Sequence, residues 1–104
     1  YKHSYKNLDF LHLNSTQLEK IKTILIDFKK EYKEFYEYKE EQEDLLKDLI
    51  ENKEFNEKQY LKILTDIKTK SAILEVTRLK KIHTILDEKQ RKEFADYLEE
   101  WEIE

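Results

Sequence analysis

The stretch LNSTQLEKIKTILIDFKKEYKEF, residues 13–35, decides the fold of this 104-residue chain. Leu18, Ile21, Leu25, Phe28, Tyr32 and Phe35 follow one another at alternating three- and four-residue steps. On a helix of 3.6 residues per turn, such steps draw one apolar stripe down one side. The register continues to Leu46 and Leu49, with Lys39 and Gln42 at the two positions between. A seam sustained this far packs against another helix as coiled coils do. It stops near Asn52-Lys53, so the sequence predicts a first helix of about 38 residues, roughly 57 Å long at 1.5 Å each. If that helix has a break, the polar interval at Glu40-Glu41 is where it is expected.

A local pattern sets where helices begin. Leu13-Asn14-Ser15-Thr16-Gln17, Phe55-Asn56-Glu57-Lys58-Gln59 and Leu86-Asp87-Glu88-Lys89-Gln90 each read as an apolar residue, then Asn or Asp, then two variable residues, then Gln. This is a capping box. The Asn or Asp oxygen accepts from an unpaired N–H of the first turn, and the Gln side chain reaches back to the cap. The leading apolar residue can staple onto the fourth helical position, Leu18 in the first copy and Tyr60 in the second; in the third that position is Arg91. The three boxes predict helix starts near residues 15, 57 and 88. The second helix, about 57–85, shows Tyr60, Ile63, Leu64 and Ile67, then Ile73, Val76, Leu79 and Ile82. The third, about 88–101, shows Phe94, Ala95, Tyr97, Leu98 and Trp101. The short 52–56 connection folds the second helix back along the first. The pairs Glu43/Lys47, Glu54/Lys58, Asp66/Lys70 and Glu88/Lys92 support solvated helix. The expected fold is all-α: an elongated antiparallel helical hairpin with a short C-terminal helix. Residues 1–12 form a loosely ordered arm and 13–104 a single domain.

Composition narrows the function. Charged residues make up 42% and hydrophobic residues 38%, which suits solvated helices better than a closed globule. The chain has no Gly and no Pro, which favours long helices and removes the residue that phosphate-cradling loops need for close backbone approach. P-loop and dinucleotide fingerprints are excluded. Without Cys there is no thiolate zinc site or thiol nucleophile. The net charge of −4, with signs interleaved, argues against a nucleic-acid partner. No run approaches the length of a membrane span.

The two outer boxes, Leu13-Asn14-x-x-Gln17 and Leu86-Asp87-x-x-Gln90-Arg91, resemble the paired LTxxQ motifs of the Spy/CpxP family. The tail Phe94-Ala95-Asp96-Tyr97-Leu98 after the second motif is similar to that family too, as is the acidic break from Asp48 to Asn56 between the long helices. The resemblance covers residues 8–101. Asn14 and Asp87 stand where the motif has Thr, which preserves capping chemistry. The chain is acidic where the family's cradle surface is basic. What the resemblance implies is a periplasmic, stress-linked dimeric cradle, with the signal peptide or anchor removed from the mature chain. It implies an ATP-independent chaperone or stress-response protein whose partners are a second copy, unfolded client proteins or a membrane stress-sensor protein. The alternative it implies is a periplasmic heavy-metal sensor or metal-binding protein of the same fold.

The aromatic run Phe28, Tyr32, Phe35, Tyr36 and Tyr38 is the candidate client-binding surface. Its first three members also fit a core and dimer seam, whereas Tyr36 and Tyr38 lie off that seam and offer amphipathic rings. The metal ligands of the sensor relatives, a His-x-x-x-Met pair before the second motif, fall here on Arg78 and Ile82, and the N-terminal ligands on Ser4 and Leu8, so that site is absent. His3 and His12 remain as ligands for a weak divalent-metal site, and His83 is the third imidazole. The run Glu40, Glu41, Glu43 and Asp44 reads as a solvated face rather than an acid–base pair, which needs a desolvated pocket. Ser15 and Ser71 have no base beside them in the sequence, so the chain is not read as an enzyme and no cofactor other than that metal is expected.

Replacing Asn14 or Asp87 by Ala should cost about 1 kcal/mol each through loss of a helix cap. A melting temperature that neither substitution moves would overturn the capping-box reading.

Overall fold

The computed structural model describes Leu8 and residues 11–103. Among these residues there are three α-helices: α1 (Ser15–Glu51), α2 (Glu57–Ile85) and α3 (Glu88–Ala95), followed by a 3-10 turn, Leu98–Trp101. There is no strand among them. All three α-helices begin where a box places a start. In the first box Asn14 Oδ1 accepts from the Gln17 N–H at 2.8 Å, and Gln17 Oε1 accepts from the Asn14 N–H at 3.0 Å. The third box repeats both bonds between Asp87 and Gln90 at 2.8 and 3.0 Å.

The second box is half formed. Asn56 Oδ1 accepts from the Gln59 N–H at 3.1 Å, but Gln59 Oε1 meets the Asn56 side-chain amide at 3.4 Å rather than the backbone. Its staple is made: the Phe55 and Tyr60 rings lie 5.3 Å apart. At the third box Arg91 takes the staple's place by donating from Nη1 to the Leu86 carbonyl at 2.6 Å.

α1 runs unbroken through Glu40-Glu41. Every residue there is a good helix former, and without Gly or Pro nothing interrupts the ladder. α1 and α2 pack antiparallel across the 52–56 connection, giving a molecule of 58 × 23 × 18 Å. Its radius of gyration is 17.4 Å, against about 13 Å for a compact chain of this length. Of the eight seam residues, Ile21, Phe28, Tyr32, Phe35, Leu46 and Leu49 are buried, Leu25 is half-buried, and Leu18 remains 43% exposed.

The core divides in two. Phe28, Tyr32, Phe35, Leu46, Leu49, Ile63, Ile67 and Ile103 form a cluster in the turn half of the hairpin. Leu8, Leu11, Ile21, Ile82, Leu86, Phe94 and Trp101 form one at its base. Leu8 and Leu11 belong to the 1–12 arm, so this part of the arm is docked into the base; residues 1–7 and 9–10 lie outside the described residues. Two ion pairs of α1 and α3 are exposed and contribute little. Lys92 meets Glu88 at 3.5 Å as expected, while Lys47 meets Asp44 at 3.8 Å.

Two expectations need correction. Ile73 and Val76 do not face α1: they are 60% and 62% exposed. The inward register of α2 runs from buried Ile63 and Ile67 through half-buried Ser71, Leu74 and Glu75 to buried Arg78 and Ile82. Helical geometry fixes that register, and polar residues occupy it in the second half. The third helix also stops early, at Ala95 rather than near 101. Positions 94 and 101 of a continuous helix would stand about 10.5 Å apart along its axis. Turning at Asp96-Tyr97 brings the Phe94 and Trp101 rings to 5.5 Å and buries Trp101. No helix among the described residues is long and apolar enough to cross a membrane.

Ile82 is fully buried, so Ile82→Ala should cost roughly 2–5 kcal/mol in urea denaturation. A loss under half of that range's lower end would mean that the base cluster is loosely packed.

Candidate functional site

The two outer boxes meet at the base of the hairpin. Gln17 Nε2 donates to Gln90 Oε1 at 2.7 Å, and Gln90 Nε2 donates back to Gln17 Oε1 at 3.1 Å. Each amide has a second pair of partners. Gln17 donates to the Ile85 carbonyl at 3.0 Å and Gln90 to the Leu11 carbonyl at 3.1 Å, while each oxygen also accepts from its own cap N–H. Both side chains therefore use all four hydrogen-bonding positions an amide has. The motif residues Asn14 and Asp87 are exposed, Leu13 and Gln17 half-buried, and Leu86 and Gln90 buried. This assembly ties α1, α3, the end of α2 and the Leu11 segment together.

Between the two core clusters lies Arg78, 5% exposed. Its guanidinium carbon stands 3.9 Å over the Phe28 ring and 5.0 Å from the Trp101 ring, so one cation touches an aromatic of each cluster. Nη2 donates to the Trp101 carbonyl. Ser71 Oγ donates to the Ile103 carbonyl at 2.9 Å, and Glu75 Oε1 accepts from the Ile103 N–H at 2.8 Å. Desolvation lowers the Arg78 pKa to about 10, opposed by Glu75 and Tyr32, so the group keeps its charge at neutral pH. Ser71, Glu75 and Arg78 were invisible as a site in the sequence. The signal that finds them is the Ile63–Ile67 register continued in steps of three and four.

The aromatic run is split by the fold. Phe28, Tyr32 and Phe35 are buried, and Tyr36 and Tyr38 are half-buried against the same cluster. Tyr36 stacks on Tyr32 at 6.4 Å, and Lys70 Nζ lies 4.4 Å from the Tyr38 ring centre. The Tyr38 phenol is raised above its ordinary 10 by burial and by Asp66. Phe35 and Tyr38 of α1 line an open groove of about 410 Å³ with Ile73 and Leu74 of α2, joined by Glu31, Glu34, Lys70 and Thr77. The α2 positions of this groove and the Ser71–Glu75–Arg78 face lie about 110° apart round the helix. The hairpin thus has a groove on each side of its seam, one filled by 101–103 and one open.

His12 is exposed, with φ at 51°, and His3 lies outside the described residues. No group of three or more His, Cys, Asp or Glu side chains arranged to hold a metal occurs among the described residues. Glu40, Glu41, Glu43 and Asp44 are all exposed. Comparison of the chain with protein-family models, curated proteins and solved structures gave no match.

Gln17→Ala and Gln90→Ala should each cost about 1–3 kcal/mol, because each leaves the other amide, buried at Gln90 and half-buried at Gln17, short of its partner. The double variant should lose less than the sum, with a coupling of about 0.5–3 kcal/mol. Additive losses in denaturant titrations would mean that the amide pair contributes no energy of its own.

Proposed function

We propose that this chain binds non-native proteins without nucleotide, as a dimeric periplasmic cradle of the Spy/CpxP kind it resembles. The observation that carries the reading is the open groove between α1 and α2. Phe35, Tyr38, Ile73 and Leu74 line it, and Val76 stands exposed on the next face of α2. Apolar surface left uncovered along a hairpin 58 Å long suits extended chain better than a compact ligand.

The chemistry follows from the residue types. Tyr38 and Tyr36 offer apolar area with a polar tip, which suits contacts that form without a fixed sequence. Glu31, Glu34 and Lys70 at the same groove put both signs of charge beside the apolar surface. Mixed charge supports encounter with clients of either sign and favours neither. Dimerisation would extend the apolar surface, and Leu18, Ile26, Leu45, Ile50 and Leu61 are further exposed apolar residues available to it.

The test is aggregation of a chemically denatured, unrelated protein, followed by light scattering without ATP. The chain should suppress it at stoichiometric ratios, and added divalent metal should change little. Ile73→Ser with Val76→Ser should weaken suppression with helix content unchanged, since both side chains are exposed and such changes stay within about 0.5 kcal/mol of stability. Absence of suppression, or suppression indifferent to the double change, would defeat the reading in favour of a helical adaptor for one folded partner.

A further inference from the structure

The 101–103 segment is held through its backbone. Ser71, Glu75 and Arg78, successive turns of one face of α2, take the carbonyl and N–H of Ile103 and the carbonyl of Trp101. Trp101 closes the 3-10 turn and Glu102 is extended, so the chain leaves the turn as it meets this face, and an extended chain offers the same groups two residues apart. The intervening Glu102 is exposed, while Trp101 and Ile103 go down, 2% and 7% exposed, into different clusters. Main-chain hydrogen bonds with pockets for alternate side chains are the means by which proteins grip extended peptides.

Two further observations bear on what the face can hold. Arg78 Nε is buried with no hydrogen-bond partner among the described residues. A buried donor left unpaired is costly, so the strap leaves part of the clamp's capacity unused. The segment leading to the strap is surface: Tyr97 and Leu98 are 45% and 48% exposed. Its backbone bonds are local turns, Glu100 N–H to the Tyr97 carbonyl at 3.1 Å and Glu102 N–H to the Glu99 carbonyl at 3.3 Å. The strap can lift from this hinge without breaking a bond internal to α1 or α2.

We propose that Ser71, Glu75 and Arg78 form a binding site for extended peptide of the pattern aromatic-x-aliphatic, closed in cis by Trp101–Ile103 and opened when a segment of non-native protein displaces them. The site itself stands on this geometry; the identity of its occupant as a client rests on the function proposed above. Arg78 supplies a charge-assisted bond to a carbonyl. Only the open fraction of sites can bind, so the strap's occupancy raises the apparent dissociation constant of any competitor by the reciprocal of that open fraction, and the device sets a threshold below which the site stays shut.

Trp101 is the only Trp in the chain and reports its own release. The full chain is titrated with the peptide Leu-Glu-Glu-Phe-Glu-Ile, residues 98–103 with Trp101→Phe, while Trp emission and acrylamide quenching are read. A saturable red shift is expected, half-complete near about 1 mM, because a tethered segment competes at millimolar effective concentration. The same peptide with Ser at both anchor positions should do nothing. Ile103→Ala in the full chain should lower the midpoint about tenfold, about 1.4 kcal/mol. Emission unmoved by several millimolar peptide, or shifted equally by the Ser control, overturns the site whatever the variant does. A denatured, Trp-free client then separates the two readings. If it is kept soluble while Trp101 stays buried, the strap site is wrong and client binding stands. If the peptide displaces Trp101 and no client is kept soluble, the site stands and the proposed function falls.

Discussion

Gln17 and Gln90 lie 73 residues apart and bond to each other in both directions. Each amide has the same job at its own helix start, where its oxygen accepts from the cap N–H. The pairing is possible because an amide oxygen has two lone pairs and an amide nitrogen two hydrogens. One of each serves the local cap or a backbone carbonyl, and the other crosses to the partner. The cap N–H groups also fix which end of each amide is oxygen, so the pair has one orientation. In this chain, which has neither Gly nor Pro to punctuate it, side-chain caps carry the work of starting helices, and two of the three caps are locked together.

That lock sets the geometry of everything at the base. It holds α3 against the start of α1, so that the chain leaving α3 must turn back along α2. The turn at Asp96-Tyr97 then delivers Trp101 under Phe94 and Ile103 onto the other cluster. Arg78 is where the two clusters would otherwise part. A lone buried cation is costly, and here the cost is offset by two aromatic faces and by a carbonyl that the returning segment brings. The charge and the strap depend on each other: without the segment, Arg78 faces Phe28 with no bond to a carbonyl; without Arg78, the clusters meet across a gap.

Local chemistry explains how much of this was legible in the sequence. A capping box is written within four residues, so all three helix starts and the hairpin connection could be read directly. The seam of α1 was readable because six of its eight apolar positions do turn inward. The second half of α2 was misread for a definite reason. Ile73 and Val76 are the apolar residues there, but the register set by Ile63 and Ile67 gives the inward places to Ser71, Glu75 and Arg78. Polar residues belong on an inward face when a backbone arrives to pair with them, and a segment arriving from 23 to 32 residues away leaves no periodic trace. The early end of α3 was missed for the same reason: Trp101 fits a helical stripe, and only its tertiary partner Phe94 shows that it leaves one.

An antiparallel helix pair has two grooves by construction, one on each side of the seam. Here they are unequal. On one side, α2 offers hydrogen-bonding side chains and the groove is filled by the chain's own 101–103 segment. On the other, the linings are Phe35, Tyr38, Ile73 and Leu74, and the groove is open. The difference follows from which residues sit 110° round α2, about one residue step of the helix. A groove that pairs with backbone is selective for extended chain, since helices and folded domains have already spent their main-chain groups. A groove lined by rings and aliphatic side chains is selective for apolar side chains and indifferent to conformation. Non-native protein differs from folded protein in both respects at once, because its main-chain groups and its apolar side chains are exposed together. Under the function proposed above, a hairpin with one groove of each kind would distinguish it by two independent criteria, main-chain pairing at the groove that Trp101–Ile103 fills and apolar contact at the open one.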